Sequence, residues 1–247
     1  MDISFQLYSA RNVALADVLK TLSRLGYTQV EGYSGVFSDV EGLKRELAAN
    51  NLSMPSAHVD LAQLEKPDAT LKLAETLGLA LVVCPWLAPH ERPMDLVGWQ
   101  RLGERLRKLA VPYLQNGLAF GYHNHDFEFA SIGGRYPMDI LLEEAPDIAA
   151  EADIAWIARG RADPKQWLEQ HGSRIIAIHV KDLAAPGDNL NEDGWADVGQ
   201  GVLPWKELFQ TARDKTAAKY FVAEHDNPSD IERFASRSIA AIKSFGA

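Results

Sequence analysis

The segment RIIAIHVKD, residues 174–182, shows the pattern that decides the fold of this chain. It is an apolar run rich in β-branched residues, long enough for one buried strand, and it ends in His179, Lys181 and Asp182. The segment KYFVAEHD, residues 219–226, repeats this arrangement, because an apolar run again ends in polar groups. Each strand is therefore predicted to bury its body and to present polar side chains at its carboxyl end.

Eight such β-rich runs occur along the chain, and each is followed by an amphipathic segment with apolar residues at steps of three and four. The predicted strands lie within residues 3–8, 28–33, 52–58, 79–86, 118–125, 147–156, 174–182 and 219–226. Alternating strands and helices give parallel strands, since each crossover returns the chain to the same end of the sheet. Eight units in 247 residues match a closed (β/α)8 TIM barrel, so a single α/β domain is expected over residues 1–247.

An open, doubly wound sheet is the main alternative to the barrel. Such a sheet normally carries a glycine-rich turn for a dinucleotide after its first strand. The corresponding segment here, QLYSARNVA, contains no glycine. The closed barrel is therefore favoured, and no linker or second domain is predicted.

Composition excludes some classes of function. The net charge of −9 argues against general nucleic-acid binding, which needs a basic surface. Cys84 is the single cysteine, so no disulfide can form within the chain, as is typical of a reducing compartment. No stretch has the length of a membrane span, and the first residues do not resemble a secretion signal. We expect a soluble cytoplasmic protein.

Active sites of (β/α)8 barrels lie at the carboxyl ends of the strands. The opposite strand ends of this chain carry nothing comparable to its polar carboxyl ends, and this asymmetry indicates an enzyme. Imidazole and carboxylate groups are both metal ligands and acid/base groups. The candidate site residues are Tyr8, Glu31, His58, His123, His125, Glu128, Asp153, Trp156, His179, Lys181 and Glu224.

Several of these residues have alternative interpretations. His123 and His125 are two apart on a predicted strand, so both face the same side. They could be a metal ligand beside an acid/base partner, or a hydrogen-bonded pair that closes the barrel mouth. His58 could orient a ligand or contact it directly. Lys181 and Asp182 could form a local ion pair. Aromatic side chains such as Tyr8 and Trp156 suit carbohydrate rings, although aromatic residues also cover barrel rims in general.

These residues lie in motifs that resemble the sugar phosphate isomerase/epimerase family of xylose-isomerase-like TIM barrels, also called the AP endonuclease family 2 superfamily. The resemblance spans nearly the whole chain, and it is specific for the superfamily but not for a substrate. It rests on FQLYSAR, VEGY, SAHVD, GYHNHDFEF, ADIAW, RADP, IIAIHVKD, ADVGQGVLPW and FVAEHD.

The resemblance implies a divalent metal ion, Mn²⁺, Mg²⁺, Co²⁺ or Zn²⁺, held by residues of the last four strands. Asp153, His179 and Glu224 match three of the family's ligands. The family's strand-5 glutamate is replaced by His123, with Glu128 a few residues later as the other candidate for the fourth ligand. A histidine there makes the site softer and less anionic, which favours Zn²⁺, Co²⁺ or Mn²⁺.

The resemblance also implies a reaction, in which a base removes the proton next to the carbonyl of a keto sugar and the metal stabilises the enediolate. The expected base is Glu224 or His125, and Glu128 is a further candidate because the family's second carboxylate is missing. The expected substrate-binding residues are His58, Lys181, Trp156, Tyr8 and Glu31.

The same residues would also serve a lyase or dehydratase acting on a keto sugar or an inositol derivative. A catalytically silent sugar-binding barrel is a second alternative, and a multi-metal nuclease is a third that the negative charge disfavours. The expected partner is a small carbohydrate, with no nucleic acid and no membrane, and the resemblance implies a possible homodimer.

Overall fold

The protein is described by a computed structural model that covers residues 2–246. Eight parallel strands close into a barrel in the order β1-β10-β7-β6-β5-β4-β3-β2. These strands are β1 (Ile3–Gln6), β2 (Gln29–Tyr33), β3 (Ser53–His58), β4 (Leu81–Cys84), β5 (Ala119–His123), β6 (Ala149–Asp153), β7 (Ile175–Val180) and β10 (Tyr220–Ala223). The predicted (β/α)8 barrel is confirmed.

Helices cover the outside of the barrel. They are α1 (Leu15–Leu25), α2 (Val40–Ala49), α3 (Leu61–Leu64), α4 (Pro67–Leu77), α5 (Leu96–Gln115), α6 (Pro137–Glu144), α7 (Ile154–Arg159), α8 (Pro164–His171), α9 (Trp205–Lys215) and α10 (Ile231–Ser244). Within residues 2–246, none of them is both long and apolar enough to cross a membrane.

Local sequence explains where several helices begin and end. The carboxylate of Asp163 accepts hydrogen bonds from the backbone N–H groups of Lys165 and Gln166, and Pro164 occupies the first helical position of α8. Gly26 ends α1 in the left-handed region at φ 90°, where a residue with a Cβ would be strained.

Several predicted strands end early, and β5 stops at His123, so His125 lies just beyond the strand on which it was predicted. Two further parts of the chain differ from the sequence prediction. The predicted strand at residues 147–156 ends at Asp153, because that side chain caps α7 and turns the apolar segment IAWIAR into a helix. The polar loop after β7 contains a short antiparallel hairpin, β8 (Asp182–Leu183) with β9 (Trp195–Ala196). The first difference matters for the site, since it moves Trp156 from a strand to a helix.

The buried residues fall into two compartments. The large apolar core lies between strands and helices and includes Phe5, Val30, Phe120 and Phe221, all almost completely buried. A small separate cluster of Leu81, Val83 and Ala177 is contributed by residues that face the inside of the barrel. Above it, towards the carboxyl ends of the strands, polar side chains occupy the space that branched apolar residues usually fill in such barrels.

Candidate active site at the carboxyl end of the barrel

Buried polar residues from seven barrel strands meet inside the barrel. Because side chains alternate between the two faces of a strand, residues two apart point inwards together. The inward set comprises Ser4, Gln6, Glu31, Ser56, His58, His123, Glu151, Asp153, His179 and Glu224, and none is more than 7% exposed. This concentration of charge inside a barrel requires mutual pairing or a bound cation.

His179 lies at the centre of this set. Its Nε2 is 2.7 Å from Glu31 Oε1 and 3.2 Å from Glu151 Oε2, and its Nδ1 is 2.9 Å from Glu224 Oε2. Burial works to lower the pKa of His179, but the three surrounding carboxylates outweigh burial and raise it well above its usual value. The ring is therefore fixed by carboxylates on both of its nitrogens.

Glu151 was not among the predicted site residues. Its Oε2 is 2.6 Å from His58 Nε2 and 3.0 Å from His123 Nδ1. Burial works to raise the pKa of Glu151, yet His179 and His58 outweigh it and lower the pKa well below the usual value. The sequence carried a usable signal, because Glu151 is two residues before Asp153 on one strand and must face the same side.

Lys181 is completely buried at the side of this cluster. Its Nζ is 2.7 Å from Asp226 Oδ1, 3.3 Å from Glu224 Oε2 and 3.7 Å from Asp153 Oδ2. Burial works to lower its pKa, but these three carboxylates raise it above the usual value, so the group stays charged. Asp226 is a second residue missed from the sequence, and it lies two residues after Glu224 in the motif EHD.

Asp153 is held in a defined orientation. Its Oδ1 accepts a hydrogen bond from the backbone N–H of Trp156, while Asn124 pairs with both the backbone N–H and the carbonyl of Asp153. Burial raises the pKa of Asp153 to about 7, although the charge of Lys181 opposes this. Its Oδ2 is buried and accepts no hydrogen bond from the residues between 2 and 246. A cation beside Oδ2 would remove this cost of burial.

Two overlapping sets of residues have the spacing of a metal site. One consists of His123, Asp153, His179 and Glu224, and the other of His58, His123, Glu151 and His179; in each set the ligand atoms lie within 4.8 Å of one another. The first set is the one that the sequence predicted. The Oδ2 of Asp153, which accepts no hydrogen bond from the described residues, and the mixture of imidazole and carboxylate ligands both fit a divalent transition metal ion.

The structure separates the two candidates for the strand-5 ligand. His123 faces the barrel interior and belongs to both sets. Glu128 lies on the outer side of β5, where its carboxylate accepts hydrogen bonds from Tyr122 Oη at 2.7 Å and from the backbone N–H of His125 at 2.8 Å. Burial raises the pKa of Glu128 to about 7. Glu128 is thus not brought to the predicted metal ligands, and its contact with the site runs through the backbone of His125.

A cavity of about 630 Å³ opens above the metal-ligand set. Predicted site residues in its lining are Tyr8, His58, His123, His125, Trp156 and Glu224. Four other predicted site residues are fully buried beneath the lining and do not contact the cavity itself: Glu31, Asp153, His179 and Lys181. Another cavity, of about 540 Å³, lies outside the barrel between α1 and α2 and contains none of the predicted site residues.

His125 lines the cavity and has a ring nitrogen that makes no hydrogen bond to the described residues. Its Nδ1 is buried and, among the described residues, has no hydrogen-bond partner. Burial lowers the pKa of His125 well below its usual value, and the neighbouring His123 and Lys181 act in the same direction. The imidazole is therefore neutral near pH 7.

Comparison with known proteins agrees with this geometry. The model of the family described as xylose isomerase-like TIM barrel matches residues 19–245, so the chain belongs to that family. A sugar phosphate isomerase/epimerase from Parabacteroides distasonis is 20% identical with a TM-score of 0.80, and the match covers 100% of this chain and 95% of that one. No curated protein matches the chain.

Two further solved structures have the same fold. The probable 3-DHS dehydratase AsbF from Bacillus anthracis is 15% identical with a TM-score of 0.76, over 98% of this chain and 99% of that one. The IolI protein, solved with a binding zinc atom, is 14% identical with a TM-score of 0.75, over 99% of this chain and 96% of that one. At these identities the similarity establishes the shared fold.

Proposed function

We propose that the chain is a divalent-metal-dependent isomerase or epimerase, which removes a proton next to the carbonyl of a keto sugar or a sugar derivative. The observation that carries the proposal is the convergence of His123, Asp153, His179 and Glu224 within 4.8 Å of one another, with His123 and Glu224 in the lining of the cavity and Asp153 and His179 buried beneath it. Zn²⁺, Co²⁺ or Mn²⁺ suits two imidazoles and two carboxylates better than Mg²⁺ does. A bound ion would polarise a carbonyl and stabilise negative charge that develops on its oxygen.

His125 is the proposed proton acceptor. It lines the cavity, its Nδ1 has no partner among the described residues, and its lowered pKa keeps it neutral near pH 7. Glu224 is less available for this role, because it belongs to the proposed metal-ligand set and a bound ion would occupy its carboxylate. We therefore assign Glu224 to metal binding. Glu128 would fix the position of His125 through the backbone N–H that it binds.

The remaining predicted residues divide into two roles. His58, Tyr8 and Trp156 line the cavity and are proposed to contact the substrate. Glu31 and Lys181 lie beneath the lining and are proposed to orient His179 and Glu224. The homodimer and the cytoplasmic location stay predictions.

Metal content tests the ligand assignment. The purified protein is expected to bind one Mn²⁺ or Zn²⁺ per chain, as measured by elemental analysis after dialysis. The double variant Asp153→Ala with His179→Ala should bind none, whereas the matched variant His90→Ala with Asp188→Ala, which changes two exposed residues of the same types, should bind as the native chain does. Stoichiometric metal in the first double variant would refute the assignment.

Proton exchange tests the reaction. The metal-loaded protein is incubated in D₂O with a panel of keto sugars, and deuterium incorporation next to the carbonyl is followed by NMR. Exchange that His125→Ala reduces at least about 100-fold, with metal content unchanged, supports the proposed base. A product with a new double bond would instead identify a lyase or dehydratase. Sugar binding without any exchange would identify a silent sugar-binding barrel.

A further inference from the structure

Glu151 lies inside the barrel, beneath the metal-ligand set of His123, Asp153, His179 and Glu224. It stands two residues before Asp153 on β6, so both side chains point inwards. Its Cα pairs with that of His123 on the neighbouring strand β5. Glu151 is completely buried and does not line the cavity. It therefore contacts the metal-ligand set from below, where neither solvent nor a substrate in the cavity reaches it.

One oxygen of Glu151 contacts three imidazoles. Its Oε2 is 2.6 Å from His58 Nε2, 3.0 Å from His123 Nδ1 and 3.2 Å from His179 Nε2. Its Oε1 is buried and makes no hydrogen bond within residues 2–246. Among the described residues, this carboxylate therefore has only histidines as polar partners, and two of the three belong to the metal-ligand set.

The contact with Glu151 determines which nitrogen of His123 is left for an ion. A neutral imidazole carries its proton on one nitrogen and a lone pair on the other, and an ionised carboxylate only accepts hydrogen bonds. The proton of His123 therefore lies on Nδ1, which donates to Glu151 Oε2. The lone pair is then on Nε2, which makes no hydrogen bond to the part of the chain that the structure describes, and His123 lines the cavity.

His179 is held in the opposite sense. Its Nε2 faces the two inner carboxylates, at 2.7 Å from Glu31 Oε1 and 3.2 Å from Glu151 Oε2. Its Nδ1 lies 2.9 Å from Glu224 Oε2, and Glu224 belongs to the metal-ligand set, so Nδ1 is the nitrogen on the side of the ion. The two imidazoles of the set thus present different nitrogens, and a carboxylate beneath each ring holds the other nitrogen.

We propose that Glu151 is a positioning residue for the metal site, which fixes the ring orientation and the protonated nitrogen of His123. Together with Glu31 it does the same for His179. The inference rests on the proposed function, because it takes the ion to lie among the ligands assigned there. Metal-binding histidines almost always donate their second N–H to such a partner, and loss of the partner typically lowers metal affinity about 10- to 100-fold. Glu151 also places a negative charge behind His123, a ligand that has none of its own.

Nitrogen NMR of the native protein tests the assignment of the ring nitrogens and needs no variant. In zinc-loaded protein labelled with ¹⁵N-histidine, correlations between ring protons and ring nitrogens distinguish a proton on Nδ1 from a proton on Nε2. His123 is expected to keep its proton on Nδ1 and to bind zinc through Nε2, whereas His179 should show the reverse. Zinc bound to Nδ1 of His123 would overturn the proposal.

The variant Glu151→Gln tests the consequence for metal binding. It keeps the shape of the side chain and removes its charge, so the affinity for Zn²⁺, measured by competition with a chelating dye, should fall about 10- to 100-fold. The visible absorption of bound Co²⁺, which reports the geometry of the ligands, should also change.

Glu192→Gln is the matched control for this variant. Glu192 is buried and its Oε2 lies 3.4 Å from His225 Nε2, but it belongs to neither set of metal ligands. The control should keep the Zn²⁺ affinity and the Co²⁺ absorption of the native chain. It is itself expected to lower the free energy of unfolding, so it separates a loss of stability from a loss of the positioning contact.

The positioning role and the proposed reaction fail in different ways. Native Zn²⁺ affinity and Co²⁺ absorption in Glu151→Gln would refute the role of Glu151 and leave the reaction standing. Weakened metal binding in Glu151→Gln, with no proton exchange into any sugar by the native protein, would keep the role and refute the reaction. A native chain that binds no metal ion would refute both. If Glu151→Gln does not fold, the ring nitrogens of the native protein decide alone.

Discussion

Replacement of Lys181 by methionine tests whether the buried carboxylates around it are held as charged groups. The Lys181 ammonium is completely buried and lies 2.7, 3.3 and 3.7 Å from carboxylate oxygens of Asp226, Glu224 and Asp153. Lys181→Met keeps much of the apolar stem but leaves these carboxylates without their cation. Removing one partner of a buried ion pair costs about 3–5 kcal/mol, so the free energy of unfolding should fall by that amount. For a chain of this size the melting temperature should fall by roughly 10 °C.

Urea denaturation without metal ions measures this loss, and Lys165→Met provides the matched control. Lys165 Nζ is 2.6 Å from Glu207 Oε1, but both side chains are about half exposed, so the control should lose at most about 1 kcal/mol. If Lys181→Met is no more destabilising than Lys165→Met, the carboxylates around Lys181 are not held as charged groups, and the reasoning is wrong.

Metal binding supplies the second part of this test. A divalent ion at Asp153 and Glu224 would replace part of the lost positive charge, and a ligand at 100 times its dissociation constant adds about 2.7 kcal/mol to the free energy of unfolding. Added Mn²⁺ should therefore stabilise Lys181→Met more than it stabilises the native chain. Equal stabilisation of the two proteins would show that the ion does not bind next to Lys181.

Two other variants test contacts outside the site that hold the surrounding loops and helices together. Glu192 accepts hydrogen bonds from Ser229 and pairs with Arg233; burial opposes its ionisation, but these contacts lower its pKa to about 2. The ionised Glu192 therefore adds at most about 3 kcal/mol to the free energy of unfolding above pH 4.5, and this contribution is lost as the pH falls through 2. In urea titrations, Glu192→Gln should be less stable than the native chain at pH 6 and equal to it near pH 2. A Cβ at Gly172 would lie 1.9 Å from the backbone oxygen of Lys215, so Gly172→Ala should lower the free energy of unfolding by about 1–3 kcal/mol. An unchanged denaturation midpoint would show that this contact between α8 and α9 relaxes freely.

The barrel could be predicted from sequence because its signal is repeated eight times. Each apolar run that ends in a polar residue is ambiguous alone, but eight of them alternating with helices in 247 residues match a closed parallel barrel, and the absence of a glycine-rich turn after the first strand disfavours an open sheet. Parallel strands also place their carboxyl ends together, which is why the polar strand ends are predicted to share one site, whereas the particular ligand set of His123, Asp153, His179 and Glu224 is implied by the resemblance to the family.

The parts that escaped prediction depend on contacts between distant residues. Glu151 stands among alanines and looks like one polar residue in a strand, and its importance appears only when His58 and His123 arrive from other strands. The segment IAWIAR reads as a continuation of a strand until the side chain of Asp153 binds the N–H of Trp156. Glu128 comes after the end of β5, so alternation along the strand no longer fixes its direction, and it pairs with Tyr122 outside the barrel.

The division of the interior into an apolar shell and a polar lumen has a consequence for how such a protein can change during evolution. The shell between strands and helices, with residues such as Phe5, Phe120 and Phe221, contains most of the buried apolar surface. The lumen contributes only a small apolar cluster around Leu81. Exchanging the imidazoles and carboxylates of the lumen therefore leaves the folding energy of the shell largely in place, and new chemistries can be sampled on an unchanged scaffold.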